Sequence, residues 1–269
     1  MRKLSIGALV GVLSLAVAAV AFALSNNTVT YNSTIKQTPE KYKGKVVKGL
    51  PNNVSYTGIL HVSTSDGGQP NTAPLTEVFF AKQIQNNAKN YASCAASDID
   101  GKTAIPAKCN KALVGGGTAS SLLGKPGQQN SVRTNLTVQA FNGLKGKQIL
   151  LVVSGGPIKN RVITGTVGPA SAPFGFKVGF AVPADLQSIL GNQIALTDFS
   201  VTIAKTTNVK RKVKVKGKNK LVPIKTSYLA LTKCPSSKLL PTRAIVHFND
   251  DNNQPSNNTV TSDGTMACK

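Results

Sequence analysis

An all-β fold, a single large β-sandwich or jelly-roll-like domain with one or two short helices, is what this sequence predicts. Three observations carry the prediction. Short apolar-alternating runs recur from Val54 to Met266. Clusters of Gly, Pro and Asn separate nearly all of them at close spacing. The composition, 41% hydrophobic with 24 Gly and 14 Pro in 269 residues, is too apolar for a disordered chain and too punctuated for a helical one. No composition break divides the chain, and its length allows one large β domain with a core of its own.

Residues 1–23 read as an export signal. Arg2 and Lys3 precede the uncharged run from Leu4 to Val20, and Ala21-Phe22-Ala23 supplies the small-x-small pattern that a signal peptidase accepts. Cleavage after Ala23 is expected, which places the mature chain outside the cell or at its surface. The competing reading is a retained anchor, because Leu4 to Ala23 is about the ~20 residues that a bilayer-spanning helix needs. No second run of that length follows, so the processed chain has no expected membrane span.

Residues 24–45 are rich in Asn, Thr and Lys without a clear period and are expected to form a flexible lead-in. The sandwich domain is assigned to residues 46–269. Its first strand puts Val54, Tyr56, Gly58, Leu60 and Val62 on one face and the intervening residues on the other. Further strands are expected over Glu77 to Ala81, Lys111 to Ala119, Val132 to Phe141, Gln148 to Val153, Arg161 to Val167 and Phe174 to Val182. Others follow over Ile194 to Ala204, Asn208 to Lys216, Lys220 to Thr232, Arg243 to Asn249 and Asn258 to Met266. Two short helices are expected, at Lys82 to Lys89 and at Ala184 to Leu190, the second framed by Pro183 and Gly191.

Export makes the cysteines readable. Cys94, Cys109, Cys234 and Cys268 form an even set whose spacing matches no zinc or thioredoxin pattern, and they are expected to form two disulfides. Of the three connectivities, Cys94–Cys109 with Cys234–Cys268 is favoured, since short loops close without prior long-range pairing.

The formal charge is +22, from 32 Lys and Arg against 10 acidic residues. Its densest concentration lies between Lys205 and Lys225, a stretch with no acidic residue. Lys210, Arg211, Lys212, Lys214, Lys216, Lys218 and Lys220 are the candidate polyanion-binding residues. On a strand, Lys210, Lys212, Lys214 and Lys216 share a face at about 6.7 Å intervals, with Val209, Val213 and Val215 behind them. Gly217-Lys218-Asn219 is the expected turn of the hairpin. Such a ladder attracts phosphate- or carboxylate-bearing polymers such as cell-wall polyanions, lipid headgroups or extracellular nucleic acid. It also reads as a solvated edge whose lysines oppose sheet aggregation. No aromatic residue lies in the stretch before Tyr228, so specific nucleic-acid readout by base stacking is not expected.

Catalytic patterns mostly fail. Glu40 and Glu77 are the only glutamates, and His61 and His247, the only histidines, both sit in strand patterns. Ser154-Gly155-Gly156 lacks the preceding Gly of a nucleophile elbow. Gly115-Gly116-Gly117-Thr118 lacks the P-loop Lys and the helix after it. Asp98-Ile99-Asp100-Gly101 and Asp250-Asp251-Asn252-Asn253 complete no known Ca²⁺ loop and match the composition of ordinary turns. No metal site, catalytic residue or cofactor is assigned.

Several segments together resemble a group of secreted β-sandwich proteins of unassigned function from soil actinobacteria. The motifs are His61-Val62-Ser63-Thr64-Ser65-Asp66-Gly67 with Gln69-Pro70, then Val78-Phe79-Phe80 before Cys94, and Cys109 with Ala112-Leu113-Val114-Gly115-Gly116-Gly117-Thr118-Ala119. They continue through Val182-Pro183, Leu196-Thr197-Asp198-Phe199-Ser200-Val201-Thr202-Ile203, and Cys234-Pro235 to Val246-His247-Phe248 and Cys268. The resemblance implies secretion and the short-range cysteine pairing, and brings no activity or cofactor. Similar proteins close the last hairpin with a tight Asp-Gly turn, where this chain has a longer loop from Asn249 to Asn258.

The function expected is therefore a secreted, non-enzymatic structural or adhesive module that binds anionic polymers through the lysine hairpin. The alternative is a carbohydrate-active or other hydrolase on a jelly-roll scaffold. That reading is favoured by a concave face carrying an exposed tyrosine such as Tyr56 beside paired carboxylates.

Overall fold

A computed structural model describes residues 26–156, 158–215 and 218–268, so the predicted signal segment and Lys216 lie outside the described residues. The strands are β1 (Asn27–Thr38), β2 (Lys41–Tyr42), β3 (Lys45–Val46), β4 (Asn52–Thr64), β5 (Leu75–Ala81) and β6 (Ile84–Asn86). They continue with β7 (Leu113–Gly124), β8 (Val132–Asn142), β9 (Gln148–Gly155), β10 (Ile158–Pro169), β11 (Phe174–Ala181) and β12 (Ser188–Ile189). The last six are β13 (Asn192–Ile203), β14 (Thr206–Val215), β15 (Lys218–Ser227), β16 (Leu229–Leu231), β17 (Leu239–Asn249) and β18 (Pro255–Ala267).

One 14-stranded sheet runs β18-β17-β5-β11-β10-β9-β8-β7-β13-β4-β16-β6, with β12 beside β13. β13 and β16 follow each other along one edge of β4, and β1 runs along the other. Right-handed twist makes a sheet of this length curl over on itself, and its two halves face each other across the core. Leu60 and Val62 of β4 cluster with Ala244, Val246 and Phe248 of β17, and the rings of Tyr56 and Phe80 lie 5.2 Å apart. The terminal strands meet at a seam where the Tyr31 backbone N–H donates to Ser262 Oγ at 2.9 Å. The result is an all-β sandwich whose two layers belong to one continuous sheet.

β4 alternates as its sequence predicts, with Val54, Tyr56, Gly58, Leu60 and Val62 inward. β9 does not alternate, because residues 149–153 are buried on both faces. Its outer face is covered by the segment carrying helix α1 (Ala96–Ile99) and a 3₁₀ turn at Ala107–Ala112, where Ile99, Phe141, Leu150, Val152 and Val162 form a separate cluster. The Cys94–Cys109 disulfide closes this cover, and Cys234–Cys268 fastens the end of β18 beside β17.

Four expectations need correction. Residues 27–38, placed in a flexible lead-in, form a twelve-residue strand registered against β4. Val29, Tyr31, Ser33 and Ile35 fall on its inward face, an apolar period interrupted by the small polar Ser33. Lys82 to Lys89 is not a helix: β6 pairs with β16, and a 3₁₀ turn at Ala88–Asn90 follows. Burial of Ile84 in the sheet overrides weak local helix propensity. Ala184 to Leu190 is helical only over a 3₁₀ turn, Ala184–Leu186. Leu190 and Gly191 then take φ of 49° and 79°, turning β12 back onto β13, and Leu190 is 95% exposed instead of lying on an apolar helix face. Lastly, the strand expected over Lys220 to Thr232 is divided at Tyr228, where the chain passes from a separate two-stranded sheet into the main one.

Candidate functional site

The basic stretch forms a hairpin of its own, β14 paired with β15. Directly opposed residues of an antiparallel pair share a face, so the register sorts the cations. Lys210, Lys212 and Lys214 lie opposite Pro223, Leu221 and Asn219, with Lys225 opposite Asn208 on the same face, and all four lysines are exposed. Arg211 lies opposite Val222, Lys220 opposite Val213 and Lys218 opposite Val215, which puts these three cations on the other face. The seven sequence candidates therefore divide between two surfaces, with Lys216 outside the described residues. Lys218 and Asn219 belong to the returning strand, not to the turn.

The second face is covered by a small hairpin that sequence reasoning assigned to the lead-in. Tyr42, Val47 and Leu50 pack against Val213, Val222 and Ile224. The turn of this hairpin is Lys43-Gly44, with φ of 47° and 79°, the left-handed pair that a two-residue hairpin favours. Its exposed Lys41, Lys43, Lys45 and Lys48 extend the positive surface beside β14 and β15. The signal for them was present in Lys41-Tyr42-Lys43-Gly44-Lys45, a glycine turn between alternating lysines.

A buried carboxylate joins the two hairpins. Glu40 is 2% exposed, accepts a 2.8 Å hydrogen bond from Thr226 Oγ1 and gives its carbonyl to Val47 N–H. Burial raises its carboxyl above the usual range, and the Thr226 hydroxyl and Arg211 guanidinium offset this only in part. At the base of the hairpin, Asn53 donates from Nδ2 to the Lys225 carbonyl and accepts at Oδ1 from Ser227 N–H. The Tyr91 hydroxyl lies 2.9 and 2.8 Å from the Lys205 and Thr226 carbonyls. The lysines thus project from a hydrogen-bonded base. Among the described residues, the carboxylate ion pairs engage Lys108, Arg133, Arg161, Lys177 and Arg243, and none engages a hairpin lysine.

The remaining candidates lie outside the hairpin. His61 Nδ1 lies 2.8 Å from Asp198 Oδ1, and Arg133 Nη1 lies 3.2 Å from Oδ2, all on the open outer face of the sheet. His247 pairs with Glu77 at 3.5 Å, beside Lys177. Asp98 pairs with Lys108 at 2.7 Å, and Asp100 accepts from Val162 N–H at 2.9 Å, so both carboxylates of that segment are engaged by protein groups. Asp98 lies close to Cys94 and Cys109, but sulfurs joined in a disulfide offer no thiolate to a metal. Asp250 Oδ1 accepts from Asn252 and Gln254 N–H groups, shaping the last hairpin, whose register returns at Asn249 opposite Pro255. The triple glycine lies inside β7, where a Cβ on Gly117 would sit 1.8 Å from the Ser200 carbonyl oxygen. Its glycines serve close strand approach. Tyr56, offered as an example of an exposed tyrosine on a sugar-binding face, is instead 4% exposed and points into the sandwich. Comparison of the chain with protein-family models, curated protein sequences and solved structures returned no match.

Proposed function

We propose that this is a secreted, non-enzymatic β-sandwich protein of the cell envelope or extracellular space, a structural or adhesive module that holds anionic polymers on its lysine hairpin. One observation carries the reading: Lys210, Lys212, Lys214 and Lys225 lie on one exposed face of a hairpin separate from the main sheet, with no carboxylate on that face. Side chains on alternate residues of a strand stand about 6.7 Å apart, so an extended polyanion meets charge after charge along one line. The field of a chain with formal charge +22, or +20 once Arg2 and Lys3 leave with the signal segment, draws such a polymer in from solution. Export is supported by the leader-like residues 1–23 and by two disulfides, which persist in oxidising compartments. Among the described residues no helix is long and apolar enough to cross a membrane.

Retention on immobilised duplex DNA, heparin, poly-glutamate and neutral dextran at low salt tests this function. The protein should be held by all three anionic matrices, whatever the acid group, and pass through dextran. Equal retention on dextran would count against charge recognition and favour a carbohydrate-directed role.

A further inference from the structure

The sandwich is not filled. Between its layers lies a cavity of about 180 Å³ walled by β1, β4, β5, β7, β8, β9, β10, β11 and β13. Protein interiors leave few voids larger than a water molecule, so a space of this size is a built feature. The sequence makes it by placing small residues where the walls face inward: Gly58, Ala73 and Ala119 all line it. Its sides are hydrocarbon, with Phe80 and Phe176 stacked at 4.6 Å and 6°, and with Leu136, Leu151 and Val178 beside them. An apolar cavity in another protein, at ~150 Å³, stays dry and takes up benzene.

Polar residues are a minority of this lining, namely Thr72, Thr76, Asn86, Ser121 and Tyr228 together with one tyrosine pair. Tyr31 and Tyr56 enter from adjacent strands, and their hydroxyls are hydrogen-bonded to each other. Gly58 makes the arrangement possible, since a Cβ there would lie 3.2 Å from Tyr31 Oη and 3.4 Å from Tyr56 Cε1. A hydroxyl donates one proton, so the pair spends one between its members, and the other goes to Ser33, which also bonds to this pair, or to a ligand oxygen that takes its place. Burial raises both phenols, Tyr56 to about 12, so both stay protonated.

We infer that this cavity is a binding site for an uncharged, largely apolar small molecule, about one substituted ring in size, whose single carbonyl or ether oxygen accepts a hydrogen bond from the Tyr31–Tyr56 pair. The site is separate from the lysine hairpin and does not depend on it. Charge is excluded because desolvating an ion in such a lining has no compensation. A long acyl chain exceeds the volume, whereas eight to twelve heavy atoms, on the order of one ring with a short substituent, match it.

Acetophenone and isopropylbenzene, nearly isosteric and differing in the carbonyl, are the probes. The chain has no Trp, and three of its five tyrosines, Tyr31, Tyr56 and Tyr228, line the cavity, so tyrosine emission reads occupancy, with Tyr228 left as the lining reporter when the other two are replaced. The disulfide-intact protein should show saturable changes with both probes, with half-saturation below about 1 mM for ligands of this size. Ala119→Leu and Val153→Phe, which fill the space, should weaken both probes at least tenfold. The double variant Tyr31→Phe with Tyr56→Phe should keep isopropylbenzene binding and lower the preference for acetophenone about five- to tenfold. A linear, non-saturating response of the unaltered protein overturns the inference. So does unchanged affinity in a filled variant that still melts cooperatively. If both filled variants fail to fold, the tyrosine double variant decides, and an unchanged ratio of the two affinities refutes the assigned polar contact.

Discussion

Replacing Lys210, Lys212, Lys214 and Lys225 by Gln tests how the hairpin works, because the register puts these four side chains, and not Arg211, Lys218 or Lys220, on one exposed face. Each cation that neutralises a phosphate of duplex DNA releases a counterion and contributes about −0.9 to the slope of log K against log salt. Four contacts give a slope near −3.6, so raising salt from about 50 to about 200 mM weakens binding roughly 100-fold. If Lys41, Lys43, Lys45 and Lys48 of the neighbouring hairpin also reach the polymer, the slope doubles and the loss exceeds about 10⁴-fold. Fluorescence anisotropy of a labelled duplex, titrated at several salt concentrations, measures the slope. The four-fold variant should shift it by about 3.6 units toward zero and bind far more weakly at low salt. Its melting temperature should hardly move, since exposed substitutions stay within about 0.5 kcal/mol each. A variant with an unchanged slope would refute the assignment of the contact to this face, whatever its absolute affinity.

Other consequences follow from the packing. Gly117→Ala places a Cβ 1.8 Å from the Ser200 carbonyl and should destabilise the fold by about 2–4 kcal/mol, read as a lower thermal midpoint; a loss under about 0.5 kcal/mol would mean that β7 and β13 part easily. Removing the Cys234–Cys268 bridge, which closes a separation of 34 residues, should cost about 4 kcal/mol on the chain-entropy account. Hydrogen exchange should then rise first in β18, with β7 and β8 still protected, and a uniform rise would contradict local fastening. The two glutamates should respond to pH with opposite signs. Burial holds the Glu40 carboxyl above its ordinary value of 4.5, so its contribution is full at acid pH and is lost as pH rises through the folded value. Glu40→Gln should therefore stabilise the protein at pH 7 and make little difference in acid. Burial also pushes Glu77 upward, but hydrogen bonds and charge from Lys177 and His247 outweigh it and leave the carboxyl below 4.5. Its stabilisation is present above the unfolded value and lost as pH falls through the folded one, so Glu77→Gln should destabilise at pH 7 and converge with the parent in acid. Melting curves at pH 3, 5 and 7 check both, and parallel behaviour of the two variants would overturn the argument.

Local chemistry was enough to expose most strands. β4 could be read residue by residue because alternation with one buried face leaves a period of two in the sequence. The closeness of Cys94 to Cys109, and of Cys234 to Cys268, follows from the same economy of short loops. The lysine ladder was visible too, though not its division: which cations share a face depends on register, and register is fixed by pairing across the hairpin. β1 went unseen because its inward residues include Ser33, and a small polar residue reads as inward only when the opposite strand is known. The stretch after Ala81 resembled a helix because Ile84 and Ala88 are spaced as on one helical face, until pairing with β16 claimed the backbone.

What the sequence by itself determined is the class of the molecule: β periodicity, cysteines placed for pairing and a concentrated positive charge, all set by side chains acting on near neighbours. What only the tertiary structure decided is enclosure. The meeting of β1 with β18, the two tyrosines converging over Gly58 and the cavity beside them each depend on residues far apart in the chain. Burial is a property of the closed sheet, and no short window of sequence contains it.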